Sequence, residues 1–393
     1  MKTAADTTEV KAEEKEVVNV VDEFDYSTQN ETYNERFRSW RKNKNNPYGF
    51  RFRKNNRETV FIDGRGFVNN SREAMEQEMM TRIFYVIGIA VLMWVVIENV
   101  LGKFGISALG VLGVNINTDF FSSVVYGGGA EIVAALIFVS LMKLLIPAYY
   151  IHKKLALPGR VEFMSRMNDP VELIGAIGLS LLVCSAVCLP EAYSSDTHEI
   201  YAYFSSLYAD VAVWDQTEFI IYTLFDLAVV SVLMEMFFHG AMFAALRQFG
   251  DPFALLMTAL TAALLTQDIS EMPAVLLISL TAGYGMLRSG SLFTAIFVQI
   301  VYKMYLLALA ILEVDTSDNM VLTRNLFMLA AAVTGAICLL IVILSKKRRG
   351  KLKLAIYRSE TNSAQRFFTA VKTFPYSVVM GLCLLYAIVR AVI

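Results

Sequence analysis

Hydrophobic residues are distributed unevenly along this chain of 393 residues. Residues 1–78 are polar, and nearly all the apolar side chains follow them in blocks of about 20 residues. At about 1.5 Å per helical residue, a block of that length spans a hydrocarbon core of about 30 Å. The pattern therefore predicts an all-α protein, a polytopic membrane helix bundle.

The apolar blocks predict about nine transmembrane helices. These blocks lie near residues 83–101, 127–150, 171–190, 218–248, 253–267, 273–287, 291–312, 325–345 and 375–393. Residues 104–126, between the first two blocks, are interrupted by Gly and Asn, and we expect them to form a loop at the outer surface.

The charged residues between the blocks predict the orientation, because cytoplasmic loops are enriched in Lys and Arg. Basic residues precede the first block and follow the second, and a basic run at 346–351 follows the eighth. The loop 191–216, by contrast, carries acidic residues and no Lys or Arg. We therefore expect a multi-pass protein of the cell membrane, with a cytoplasmic N-terminus and an extracellular C-terminus.

Composition supports a membrane protein and argues against a nucleic-acid-binding protein. Hydrophobic residues make up 56% of the chain, above the roughly 45–50% of soluble domains. The formal net charge is −1, so we expect no nucleic-acid partner. Residues 1–45 carry few large apolar side chains, and we expect residues 1–78 to be a polar cytoplasmic tail, largely disordered. Residues 79–393 then form the transmembrane bundle.

Ionisable residues inside the apolar blocks are candidate functional residues, because a charge at bilayer depth is costly. We expect Glu131 to lie at the interface, Asp226 near the outer end of its helix, and Lys143 to extend its ammonium toward the cytoplasmic face. Glu235 differs, since it lies well inside a long apolar block, one helical turn before His239. At this i, i+4 spacing the two side chains are within hydrogen-bonding reach. They form either a self-satisfied pair or part of an altered active site.

Helix lengths place other polar residues at the depth of Glu235. The helix descends for about 22 Å from Glu235 to the next turn, and the same rise leads back to Thr266. Beyond the following turn, Gln299 and Lys303 return toward that depth on one face of their helix. We predict a polar network of these side chains: Glu235, His239, Thr266 or Gln267, Gln299 and Lys303. Within it, Glu235 and Lys303 are expected to form a buried ion pair.

Two motifs in this region carry a resemblance to a known family. Phe238-His239-Gly240 follows Glu235, and the run GYGMLRSGSL occupies residues 283–292, beyond the Leu246-Arg247 helix end. Together they resemble the core of the CPBP intramembrane metalloproteases, the CAAX-protease and bacteriocin-processing family, also called the Abi family. The segment Arg366-Phe367-Phe368 is similar to the tail of longer members. The resemblance implies a CPBP-like core at about residues 218–312.

The family's glutamate motif is partly kept. The usual Glu-Glu-x-x-x-Arg falls on Met234, Glu235 and His239, so that one Glu remains and His replaces Arg. By this resemblance Glu235 and His239 are the candidate catalytic residues.

The family's two histidine motifs are not kept. The first His falls at Thr266, or at Gln267 one residue later, and the second at Gln299. The Asn four residues after the second His is Lys303. The resemblance implies zinc or general-base hydrolysis, which needs imidazoles and a carboxylate. Of the three His in the chain, His239 alone falls near the expected cavity, so we expect neither a two-His metal site nor a cofactor.

These observations favour a CAAX-protease-like membrane protein that is a catalytically degenerate pseudoprotease, acting as a binding or regulatory scaffold similar to a bacteriocin-immunity protein. Its partners would be the lipid bilayer and a peptide, a lipidated protein or a membrane protein. Two alternatives remain open. One is an active intramembrane endopeptidase that uses Glu235 as base, and the other is a small ion or proton-coupled transporter with Glu235, Lys303 and Lys143 as a relay.

Overall fold

The structure is a computed structural model, and helices make up most of it. It describes residues 17–18, 31–42, 52–53, 59–62, 66–69, 72–119, 124–164, 167, 170–188, 208–209, 214–313, 320–346 and 362–392. The acidic loop 191–216 and the basic run 346–351 lie largely outside the described residues.

The helices of the first half of the chain are α1 (Glu31–Lys42), α2 (Arg72–Val96), α3 (Ile106–Val111), α4 (Gly129–Leu155), α5 (Gly159–Glu162) and α6 (Pro170–Val187). Those of the second half are α7 (Gln216–Leu224), α8 (Ser231–Glu235), α9 (Phe243–Leu246), α10 (Asp251–Leu265), α11 (Met272–Ser289), α12 (Leu292–Glu313), α13 (Met320–Lys346), α14 (Ser363–Lys372) and α15 (Tyr376–Val392). Three π-helical segments join helices without a break: Ile97–Gly105, Phe225–Val230 and Met236–Met242. A 3₁₀ turn, Arg247–Phe249, ends the helix that begins at Gln216.

Short strands lie before the bundle and in the connections. They are β1 (Val17–Val18), β2 (Phe52–Arg53), β3 (Thr59–Ile62), β4 (Gly66–Asn69), β5 (Ile116–Thr118), β6 (Val124–Gly127) and β7 (Tyr208–Ala209). β1 pairs with β2 and β3 with β4, both antiparallel. β6 is the centre of a three-stranded sheet, antiparallel to β5 and parallel to β7. The expected loop 104–126 thus holds the end of a long helix and a β-hairpin.

The described helices confirm a polytopic helical bundle. Six of them are long and apolar enough to cross a membrane: Glu76–Val111, Gly129–Leu155, Pro170–Val187, Gln216–Phe249, Leu292–Leu312 and Val321–Ser345. The pair Ser363–Lys372 and Tyr376–Val389, bent by 82°, makes a seventh if it is one span. Neither α10 nor α11, expected to be two spans, is among the six, and α10 has 15 residues. The number nine and the orientation remain predictions.

Glycines bring α6 and α13 into close contact. A Cβ atom on Gly335 would lie 2.6 Å from the carbonyl oxygen of Gly178, and one on Gly178 would lie 2.6 Å from the Cβ of Cys338. Transmembrane helices use small residues in this way, because dispersion contacts between close backbones replace the hydrophobic effect inside a bilayer.

Helix α1 departs from the disorder expected for residues 1–45. The side chains of Tyr33, Phe37 and Trp40 share one face and are buried, with Phe37 and Trp40 in edge contact at 5.4 Å. The Trp40 indole N–H donates to the carbonyl oxygen of Leu155 at the end of α4, at 2.9 Å. Because this aromatic stripe finds an apolar surface on the bundle, residues 31–42 are ordered as a helix. Most of residues 1–30 lie outside the described part of the chain.

Candidate functional site

A single helix with two π segments, Gln216–Phe249, carries the candidate catalytic residues, and we name it the site helix. A capping box sets its start, because the Asp215 carboxylate accepts from the Glu218 backbone N–H and the Glu218 carboxylate accepts from that of Asp215. Glu235 ends α8, and His239 lies in the π segment that follows. Such segments occur often at functional sites, since the extra residue in the turn redirects side chains.

Glu235 and His239 form the buried pair that their spacing predicts. His239 Nδ1 lies 2.5 Å from Glu235 Oε2. The His239 side chain is 1% exposed and that of Glu235 is 4% exposed. His239 Nε2 lies 3.1 Å from the carbonyl oxygen of Ser279 in α11. A carbonyl oxygen can only accept, so Nε2 carries a hydrogen and donates it. One further proton is then held between Nδ1 and the carboxyl group, and both ring nitrogens are engaged.

Gly283 makes the room that the His239 ring occupies. A Cβ atom at this position would lie 2.9 Å from His239 Nε2 and 2.7 Å from a methyl carbon of Leu255. Gly283 opens the GYGMLRSGSL motif. The absence of a side chain at the first residue of this motif therefore lets the imidazole fit between α11 and α10.

Replacing Gly283 with Ala is expected to push the His239 ring off the Ser279 carbonyl and to lower the free energy of unfolding by about 1–3 kcal/mol, the usual cost of overpacking. Unfolding in mixed micelles measures the loss. Gly381→Ala is the matched control, because nothing lies within 4 Å of a Cβ atom there. Equal stability of the two variants would contradict the assigned role of Gly283.

Lys303 is paired with Asp226 and not, as expected, with Glu235. Its ammonium lies 2.8 Å from Asp226 Oδ1 and 3.0 Å from the Asp226 carbonyl oxygen. The Lys303 side chain is 1% exposed, and that of Asp226 is 13% exposed. The expected Glu235–Lys303 ion pair is therefore wrong, since the Glu235 carboxylate meets His239. Asp226, interpreted as an ordinary helix-end residue, is the counter-ion.

Lys143 also has a buried partner, so the expected extension toward the cytoplasmic face is wrong. Its ammonium lies 2.8 Å from Glu98 Oε1. The Lys143 side chain is 2% exposed and that of Glu98 is 0% exposed. The Lys143 ammonium also lies 5.5 Å from the centre of the Trp94 ring, in cation–π range. Glu98 was missed because the first apolar block was expected to end at residue 101. The helix continues to Val111, which places Glu98 well inside it.

The remaining motif positions are buried but do not join the Glu235–His239 pair. Thr266 Oγ1 donates to the Ala263 carbonyl oxygen at 2.7 Å, within its own helix. The amide nitrogens of Gln267 and Gln299 are buried and have no hydrogen-bond partner among the described residues. Met234 is 1% exposed and packs in the hydrophobic core. The structure therefore has separate pairs of one acidic and one basic side chain within the bundle, instead of the single polar network that the sequence predicted.

The residues at the motif positions do not fit the zinc site that the family resemblance implies. Zinc in catalytic sites takes three protein ligands, mostly imidazole nitrogens and carboxylate oxygens. Glu235 and His239 supply one of each, and both nitrogens of the His239 ring already face other groups. Thr266 or Gln267 stands where the first histidine would be and Gln299 where the second would be, and the described part of the chain holds no group of three His, Cys, Asp or Glu suited to a metal.

The helices outside the membrane-spanning segments cover one end of the site helix. A Cβ atom on Gly240, next to His239, would lie 3.3 Å from the Glu162 carbonyl oxygen in α5. The Glu162 carboxylate is buried, which raises its pKa, although the hydrogen bond with His152 at 2.5 Å partly opposes that rise. The short helix α5 therefore lies directly on the π segment of the site.

Helix α1 covers the same end through Arg247. The Arg247 guanidinium pairs with Asp251 at 2.7 Å and donates to the Tyr33 hydroxyl at 3.1 Å. The guanidinium carbon also lies 5.4 Å from the centre of the Tyr33 ring. Burial raises the pKa of the Tyr33 hydroxyl, so this group stays neutral as a hydrogen-bond acceptor. Sequence reasoning missed this contact, because residues 1–45 carry no signal for a partner so distant in the chain.

Comparison with known families gave a match that covers the region around the site. Residues 216–305 match the family model described as type II CAAX prenyl endopeptidase Rce1-like. The comparisons with curated proteins and with solved structures gave no match. The matched segment holds the whole site helix, the Gly283 contact and Lys303. The match supports the predicted CAAX-protease family, and residues 216–305 are similar to the Rce1-like CAAX prenyl endopeptidases.

Proposed function

We propose that this membrane protein is a catalytically degenerate CAAX-protease-like protein, a pseudoprotease that serves as a binding or regulatory scaffold. The observation that carries the proposal is the state of His239, whose two ring nitrogens are both held, by Glu235 and by the Ser279 carbonyl. A general base must be able to take a proton from water, and a metal ligand must offer a lone pair. With both ring nitrogens engaged, His239 offers no lone pair for either role, which supports the proposal.

The scaffold would hold a peptide, a lipidated protein or another membrane protein, in a role similar to bacteriocin immunity. This follows from the family, whose name describes action on prenylated substrates. We infer that this core, in which the family's polar side chains are exchanged, binds a chain within the bilayer. It loses the groups that activate water.

The orientation with a cytoplasmic N-terminus is part of the proposal. The contacts Tyr33–Arg247 and Trp40–Leu155 bring the end of α4 and the end of the site helix to one end of the bundle. The backbone contact from Leu292 to Met164, at 2.7 Å, brings the turn after Arg288 there as well. The basic ends of these helices therefore lie at one end of the bundle. The positive-inside rule assigns such an end to the cytoplasmic side.

Metal content and cleavage of a prenylated peptide together test the pseudoprotease. We expect the purified chain to carry no stoichiometric zinc and to cleave the peptide no faster than its Glu235→Gln variant, while both bind it equally. Zinc present in the wild type and lost in Glu235→Gln, or cleavage lost in that variant, would establish an active endopeptidase instead. Elemental analysis and a fluorescence assay in proteoliposomes give the two measurements.

A further inference from the structure

An open cleft of about 670 Å³ lies between α14 and the start of α2. Six of its eight lining residues are polar, and the lining consists of Gln77, Thr81, Gln365, Phe368, Thr369, Lys372, Thr373 and Phe374. Among the described residues that line the cleft, Lys372 brings the one charge, and none of them is a carboxylate. A cleft with one ammonium and two amide side chains favours an anionic ligand.

Contacts behind the cleft hold its two walls together. Arg366 of α14 donates to the carbonyl oxygen of Phe249 at 3.0 Å and lies 3.5 Å from the carboxylate of Glu76 in α2. A capping box between Asn362 and Gln365 fixes the start of α14. The cleft is therefore formed before any ligand binds, at the end of the bundle where the site helix stops.

The bend between α14 and α15 sets the position of the cleft in the bilayer. The two helices meet at 82°, so α14 lies close to the membrane plane if α15 spans it. Two cleft residues, Phe368 and Phe374, are 57% and 68% exposed. An in-plane helix that exposes aromatic side chains beside a lysine is typical of the boundary between headgroups and acyl chains.

We propose that this cleft binds the headgroup of an anionic phospholipid, with its phosphate at the Lys372 ammonium and its acyl chains along Phe368 and Phe374. The hydroxyl groups of Thr81, Thr369 and Thr373 donate to carbonyl oxygens of their own helices, at 2.7–2.8 Å. Lys372 is therefore the principal donor to the phosphate. A bilayer lipid rather than a soluble phosphate is the occupant, because the exposed aromatic rings need an apolar partner.

Native mass spectrometry of the full chain in neutral detergent tests the site, with phosphatidylglycerol and phosphatidylethanolamine offered in equal amounts. The wild type is expected to retain phosphatidylglycerol preferentially, and Lys372→Gln to retain about fivefold less, the effect of one lysine near an anionic surface. Lys154→Gln is the matched control, since Lys154 is an exposed lysine at the same end of the bundle but outside the cleft. It should keep the wild-type preference.

Three outcomes would overturn the proposal. Equal losses in Lys372→Gln and Lys154→Gln would show unspecific attraction to the cationic end. Equal retention of the two lipids would show that charge does not select the occupant. Displacement of the lipid by inorganic phosphate alone would show a site for the free anion. None of these bears on peptide cleavage or zinc content, so the test is independent of the proposed function.

Discussion

Replacement of Lys303 with Met is expected to lower the free energy of unfolding by about 3–5 kcal/mol. The substitution leaves the Asp226 carboxylate largely buried without the ammonium that now lies 2.8 Å away. Lys303 itself is 1% exposed, so water reaches this site poorly and cannot replace the lost partner. A buried charge without compensation is among the few causes of destabilisation on this scale.

A double-mutant cycle in mixed micelles measures this pairing. Asp226→Asn combined with Lys303→Met removes both charges and should recover most of the stability lost by Lys303→Met alone. Glu235→Gln combined with Lys303→Met should recover none. If the second combination recovered stability and the first did not, Glu235 would be the partner after all.

The second large effect is expected at Arg247, where Met should also cost about 3–5 kcal/mol. The change leaves the buried Asp251 carboxylate without its guanidinium and removes the hydrogen bond and ring contact to Tyr33. We expect α1 to detach, which exposes Arg36 and Arg38 to trypsin. Thermal unfolding and limited proteolysis followed by mass spectrometry report the two consequences.

Tyr33→Phe provides the control for Arg247→Met. It removes only the hydroxyl acceptor and keeps the ring, so it should cost about 0.5–1.5 kcal/mol. If Arg247→Met left both the melting midpoint and the cleavage rate of α1 at their wild-type values, the docking of α1 through Arg247 would be refuted.

Block lengths were sufficient to predict the helical bundle, because any segment that crosses hydrocarbon must satisfy its own backbone. The number of transmembrane spans was harder to predict from the sequence. α10 is largely apolar but has 15 residues, and apolar composition alone does not separate a short buried helix from a span. The structure also extends the first helix to Val111, beyond the block that the sequence marks out.

Pairing within the site was predictable only where it is local. The i, i+4 spacing of Glu235 and His239 fixes their contact within one helix, and it is confirmed. Helix rise gives the depth of Lys303 but not the direction it faces. In a regular α-helix, Asp226 and Glu235 would lie on roughly opposite faces, at about 100° per residue. The π segment Phe225–Val230 changes that rotation, and nothing in the sequence announces it.

The docking of α1 ties the start of the chain to residues that are synthesised much later. Trp40 contacts a residue 115 positions further on, and Tyr33 one that is 214 positions further on. At about 5–20 residues per second, the ribosome takes roughly 10–40 s to make Arg247 after Tyr33. Throughout that interval the aromatic face of α1 has no finished surface to cover. This helix, among the first elements made, therefore cannot complete its native contacts until Arg247 has been made.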